Sequence, residues 1–168
     1  RYPDLLDGLI VVDTSPLALG MQISTQGRFP AIFAALRGLP LDKLTSRKHA
    51  DDLLAEHVRS DVVRAFLLQN LRRSGDTWRW QPNLELLTNN LYDIGDWSSP
   101  RGATWDGPTL LIAGADSDFV PVEALPVMRQ LFPRTQLVTL TGAGHWVHSE
   151  QPEAFVKTVR IALETILR

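Results

Sequence analysis

Cysteine is absent from the 168 residues, which excludes disulfides, thiolate nucleophiles and thiolate metal sites and matches a reducing, cytoplasmic setting. Long apolar runs are absent too, since none approaches the roughly 18 residues that a membrane-crossing helix needs. There is no excess of positive charge. Seventeen Lys and Arg stand against 19 Asp and Glu, a net charge of -2, so neither a nucleic-acid footprint nor an acidic tail is present. The opening RYPDLLDG lacks an initiator Met and the charged-then-apolar order of a signal peptide. It reads as starting in mid-element, and the chain is expected to be the later part of a longer protein. Repeats and low-complexity tracts are also missing. What is there is a chain 44% hydrophobic, with 11 Gly and 11 Pro to punctuate it, enough for a domain with a buried core.

Three runs are apolar or β-branched at nearly every position: Leu9–Val12 in DGLIVVDTSP, 109–113 in GPTLLIAGADSD, and Thr135–Leu140 in TQLVTLTGAG. Such runs fit strands buried on both faces of a parallel sheet. Between the second and third lies PVEALPVMRQLFP, helical in its spacing despite Pro126. After the third, EQPEAFVKTVRIALETILR carries Pro152 in its first turn and a stripe of Phe155, Val156, Val159, Ile161, Ala162, Leu163 and Ile166. Strand, helix, strand, helix predicts an α/β domain with a parallel sheet. Three such strands alone would leave an open edge, so a further segment, a second chain or self-association is expected to complete the sheet.

The middle of the chain differs. RFPAIFAALRGL, TSRKHADDLLAEHV, SDVVRAFLLQNLRRSG and PNLELLTNNLYDIG each have a helical period, with Ser60 as an N-cap and Gly75 as a helix stop, and only TWRWQ suggests a strand. A helical insertion of this length exceeds a plain crossover and reads as a cap or lid. The expected division is 1–16 for a core strand, 17–100 for the helical cap and 101–168 for the remaining core.

His145 stands in LTGAGHWVHSEQP, a glycine-rich turn after the third strand. Flanking glycines allow a sharp turn at the sheet edge where ligands bind in open α/β sheets, and an imidazole titrates near neutral pH, as a general base must. A histidine that merely satisfies the turn's backbone is the alternative. His148 lacks the glycine context and reads as a partner of Glu150 or a pocket-edge residue, while His49 and His57 lie on charged helical stretches and read as solvated. No H-x-x-x-H or acidic cluster offers converging metal ligands.

Asp13-Thr-Ser-Pro16 after a strand, the loop from Gly114 to Val120-Pro121, and Gly142-Ala-Gly-His145 followed by Glu150-Gln-Pro152 and Phe155 form a recognisable series. With WRWQPNL, they make the chain resemble the C-terminal part of an α/β-hydrolase, most closely the small esterases of the ABHD11/YbfF type. The resemblance covers the whole chain. It implies a cofactor-free, serine-type hydrolase of small acyl esters or thioesters, with His145 as general base. The family's nucleophile elbow, G-x-S-x-G between strand and helix, occurs nowhere in these residues. The resemblance therefore places the nucleophile ahead of Arg1, on an N-terminal half that is also the expected partner. The chain by itself is expected to be inactive.

The acid is subtler. In most α/β-hydrolases it stands three residues after the loop glycine, and Gly114 plus three is Ser117. In the small esterases this chain resembles, the earlier strand supplies the acid, which transfers to Asp13; Asp118 and then Asp116 are the alternatives, and a simple capping role is the bland reading of Asp13. Trp146, Phe29, Phe33 and Trp80 are candidates for an acyl pocket, with core packing the competing account. Haloalkane dehalogenases and epoxide hydrolases share the fold but use an aspartate nucleophile. A binding protein that kept the fold without catalysis is the non-enzymatic alternative.

Overall fold

The computed structural model describes residues 2–17, 28–96 and 102–166. In chain order the elements are β1 (Leu9–Val12), α1 (Arg28–Arg37), α2 (Arg47–Leu54), α3 (Asp61–Leu68), β2 (Leu71–Ser74), β3 (Thr77–Trp80), α4 (Leu84–Asn89), α5 (Leu91–Gly95), β4 (Thr109–Gly114), α6 (Ala124–Leu131), β5 (Thr135–Leu140), α7 (Val147–Glu150) and α8 (Pro152–Ile166). They fall into two compact units, Arg1–Leu17 with Ser98–Arg168, and Ala18–Trp97.

The first unit is built on a parallel sheet in the order β1-β4-β5. The central strand β4 is buried at all six positions, which is why its sequence is apolar without alternation. Leu110, Ile112, Leu140, Ala143 and Val147 form a core against which Ile10, Val12, Val138, Phe155, Val159 and Ala162 pack. Only part of the expected stripe on α8 faces this core, because Val156, Ile161 and Leu163 are exposed. The register matters for the site. Leu9 pairs with Thr109 and Thr109 with Thr135, so all three strands start together and point the same way; β1 ends at Val12 opposite Ile112, while β4 and β5 run two residues further, to Gly114 and Leu140.

Among its described residues the second unit is helical with one hairpin. Ser46, Ser60 and Asn83 cap α2, α3 and α4 by accepting from the amides of His49, Val63 and Leu86, the usual office of these side chains. Lys48 donates to Asp52 one turn away, which holds its ammonium above the ordinary range. Leu36, Leu54, Leu68, Leu71 and Leu84 are among the buried residues of its core.

Between residues 60 and 80 the structure departs from the sequence expectation. The helix expected through 60–75 stops at Leu68, and Leu71–Ser74 pairs antiparallel with Thr77–Trp80. Gly75 is no helix stop but part of the hairpin turn, at φ +61°, where a residue without Cβ is unstrained. The reason is tertiary. Trp78 and Trp80 alternate on β3, pack against the unit's core, and donate their indole N–H groups to the carbonyls of Leu44 and Leu36 at 3.0 Å each. Burial of two indoles with satisfied N–H groups outweighs the weak helical preference of LRRS. Among the described residues no helix is long and apolar enough to cross a membrane.

Candidate active site

Because the three parallel strands run in the same direction, the three loops that follow them emerge along one edge of the sheet. Asp13 follows β1 directly, and its amide extends the ladder by donating to Ile112 O at 2.8 Å. Its φ of +43° is unusual for a residue with Cβ, though Asp tolerates the left-handed region better than most. The loop after β4 is tied to the loop after β5 by Ala115 N–H to Leu140 O and Asp116 N–H to Ala143 O, at 3.0 and 2.9 Å. The two backbones come so close that a Cβ on Gly114 would collide with the carbonyl oxygens of Gly144 and Ala143. At that position only glycine fits without displacement.

On this edge the Asp13 carboxylate is completely buried and met by three donors. Oδ1 accepts the Gly114 amide at 2.8 Å, and Oδ2 accepts the Ser117 hydroxyl at 2.5 Å. The third partner of the carboxylate is His145, whose Nδ1 lies 2.8 Å from Oδ2. Ser117 Oγ in turn accepts the Phe119 amide at 3.2 Å, which directs its proton towards Asp13. A buried carboxylate is tolerable when its lone pairs are filled in this way. An ionised carboxylate can only accept, so the neutral imidazole carries its proton on Nδ1 and keeps the Nε2 lone pair for base chemistry. The His145 side chain is 43% exposed and its acid 0%, so the ring can be approached while the carboxylate cannot.

Phe119 stacks on the imidazole, with ring centroids 3.9 Å apart and planes at 21°. Neither this contact nor the Ser117–Asp13 bond follows from the sequence reading; the available signal was the residue at the usual acid position and the aromatic two places on. Asp116 and Asp118, the alternative acids, are exposed, and it is Asp13 whose carboxylate meets the ring. His148 is exposed and sits edge-on to Phe155 at 6.1 Å. It is not the partner of Glu150, because that carboxylate accepts the amides of Gly144 and Trp146 instead, at 2.6 and 3.3 Å. His49 Nδ1 lies 3.3 Å from the Thr45 hydroxyl at the start of α2.

The four pocket candidates are not brought together within one unit. Trp146 follows His145 and is half-buried. Phe33 and Trp80 pack against the second unit's own core, which accounts for them without an acyl group, and Phe29 is half-buried on α1. A cavity of about 630 Å³ opens at the other end of the sheet, beside Thr109 and Thr135 where β4 and β5 begin, and its lining includes neither Asp13 nor His145. Among the described residues no group of three or more His, Asp or Glu side chains could hold a metal ion.

A family profile described as alpha/beta hydrolase fold matches residues 1–152. The chain is 35% identical over 164 residues to the sn-1-specific diacylglycerol lipase ABHD11 of Mus musculus, covering 95% of this chain and 52% of that protein. It is 27% identical over 157 residues to Esterase YbfF of Escherichia coli, covering 94% and 58%. Among solved structures, one titled Marine microorganism esterase superposes with a TM-score of 0.83 at 29% identity, over 94% of this chain and 61% of the other. The chain spans about half the length of the curated ABHD11 relatives it matches.

Proposed function

The chain belongs to the α/β-hydrolase fold family, and from that premise we propose that it supplies the base and the acid of a serine-type hydrolase acting on carboxylic esters or thioesters. The observation that carries this reading is the 2.8 Å contact between His145 Nδ1 and the fully buried Asp13 Oδ2. A buried acid, an oriented imidazole and an Nε2 with no hydrogen-bond partner among the described residues suit nucleophilic catalysis by an alcohol. The 168 residues hold no G-x-S-x-G, so in this reading the serine comes from a segment outside them, and these residues by themselves have no turnover.

Mechanistically, Nε2 takes the proton of the serine hydroxyl as its oxygen attacks the ester carbonyl. Asp13 steadies the imidazolium that forms, and His145 returns the proton to the departing alcohol or thiol. A water activated by the same Nε2 then releases the acid from the serine. The mouse relative is named as a lipase and the bacterial one as an esterase; breaking a carboxylic ester is the chemistry those names share. The unit Ala18–Trp97 is inserted between β1 and β4, which are hydrogen-bonded neighbours, and in this proposal it acts as a cap that selects the acyl group.

The test uses the protein with its nucleophile-bearing segment and a series of p-nitrophenyl acyl esters. His145→Ala is expected to lower kcat by about a thousandfold or more, since members of such a triad act as a unit. His148→Ala is expected to leave kcat near the parent value. Equal losses in the two variants would remove His145 from the role of base.

A further inference from the structure

The hydrolase reading uses the imidazole and its acid but leaves the Glu150 carboxylate without a task. Its placement is specific. Oε2 accepts the Gly144 amide at 2.6 Å and Oε1 accepts the Trp146 amide at 3.3 Å. These are the residues immediately before and after His145, so one carboxylate clasps the backbone on both sides of the histidine. The α-carbon of Gly144 lies against the same carboxylate, because a Cβ there would meet Oε2 at 3.3 Å and Oε1 at 3.5 Å. The next residue extends the clasp, with Gln151 Nε2 donating to Gly142 O at 3.2 Å.

We propose that Glu150 is a positioning residue for His145, resting on the reading of His145 as the base: by holding the amides of Gly144 and Trp146 in one carboxylate, it fixes where the imidazole meets Asp13. The physical case has three parts. First, the turn contains two glycines, one at φ +71°, and glycine backbone is the costliest to order. Something must hold it. Second, α7 is only four residues long, and Trp146 at its N-cap makes no side-chain cap bond, so the start of the helix relies on a carboxylate reaching back from its end. Bonds from amides to a charged acceptor are about twice as strong as neutral ones. Third, Val147 and Ala143 are fully buried in the sheet core and anchor the outer ends of the turn. Between those anchors Glu150 holds the two peptide units that bracket the imidazole. An error of about 1 Å in such a group costs on the order of a hundredfold in rate.

The experiment reads the imidazole directly as well as through catalysis. In the protein with its nucleophile present, proton NMR follows the low-field Nδ1 proton of His145, with Asp13→Asn as the control that abolishes it. Amide exchange reports Gly144 and Trp146, and steady-state kinetics separates kcat from KM. Glu150→Gln keeps the size and one acceptor, but turns an NH2 towards one of the two amides. It is expected to speed exchange at Gly144 and Trp146, to hasten solvent exchange of the Nδ1 proton, and to lower kcat about tenfold or more with KM little changed. Glu150→Ala is expected to exceed Glu150→Gln in each readout. If the Ala variant fails to fold, the isosteric Gln variant still decides. Faster amide exchange with an unaltered Nδ1 proton and kcat would mean that Glu150 only caps the turn, and the inference would fall. Loss of the hydrolase reading looks different: His145→Ala itself would then leave turnover intact.

Discussion

A carboxylate taken wholly out of water costs several kcal/mol unless each lone pair is satisfied, and Asp13 shows how one residue can meet that cost. Its two oxygens accept from a backbone amide at the end of β4, a hydroxyl in the loop after it and an imidazole in the loop after β5. Ser117 occupies the place where the common family acid stands, and its hydroxyl donates to Asp13, the acid of the proposed triad. At this scale the decisive change is Asp13→Asn, which keeps the shape but permits the wrong imidazole tautomer. In serine proteases the corresponding substitution costs about 10⁴ in kcat, and a loss of that order is expected here in ester hydrolysis by the protein with its nucleophile present. Asp118→Asn, on the exposed loop, is expected to leave kcat close to that of the parent. The reverse pattern would transfer the acid to Asp118 and leave Asp13 as a turn residue.

Two glycines show how the elements impose different demands on the same residue type. Gly114 ends β4 where the loop after β5 crosses it, and a Cβ there would run into backbone oxygens of Ala143 and Gly144, which cannot swing aside as a side-chain tip can. Gly75 turns the β2–β3 hairpin at φ +61°, and a Cβ on it would have no neighbour within 4 Å. Gly114→Ala is therefore expected to cost about 1–3 kcal/mol, the usual penalty for overpacking, and to displace the turn that bears His145, lowering kcat as well. Gly75→Ala meets only the left-handed backbone penalty of roughly 1–2 kcal/mol and is expected to spare kcat. Denaturant melts and initial rates on both variants check the contrast; a catalytic loss in Gly75→Ala matching that of Gly114→Ala would contradict it.

For the molecule as a whole, each compact unit has its own core. Leu54 is fully buried in the helical unit and Ile112 in the sheet unit. Leu54→Ala removes a fully buried side chain and is expected to cost about 2–5 kcal/mol. Hydrogen exchange should show the loss in the amides of α2 and α3, with those of β4 retaining their protection, because stability is distributed in cooperative units that follow supersecondary structure. Equal loss of protection in both units would show that they unfold as one.

The sequence by itself determined the parallel sheet and the edge that bears the site. Thr109–Gly114 is apolar because a strand covered on both faces must be. Leu9–Val12, by contrast, is half-buried and Thr135–Leu140 keeps Gln136, Leu137 and Thr139 exposed, so full burial of all three runs did not follow from their composition. A Gly-x-Gly-His turn after the last of them is a local pattern. The resemblance to small esterases, more than the residues themselves, pointed to Asp13 ahead of Asp118 and Asp116, and it is the Asp13 carboxylate that lies 2.8 Å from His145 Nδ1. What the sequence did not determine were contacts whose partners are far apart in the chain. The Ser117–Asp13 bond joins residues 104 positions apart, and the hairpin of Leu71–Ser74 with Thr77–Trp80 overrode a helical period because two indoles found carbonyls at Leu36 and Leu44. On α8, Phe155, Val159 and Ala162 face the core whereas Val156, Ile161 and Leu163 do not. Periodicity records which residues are apolar; only the packed structure decides which of them meet, since that depends on what else occupies the neighbouring space.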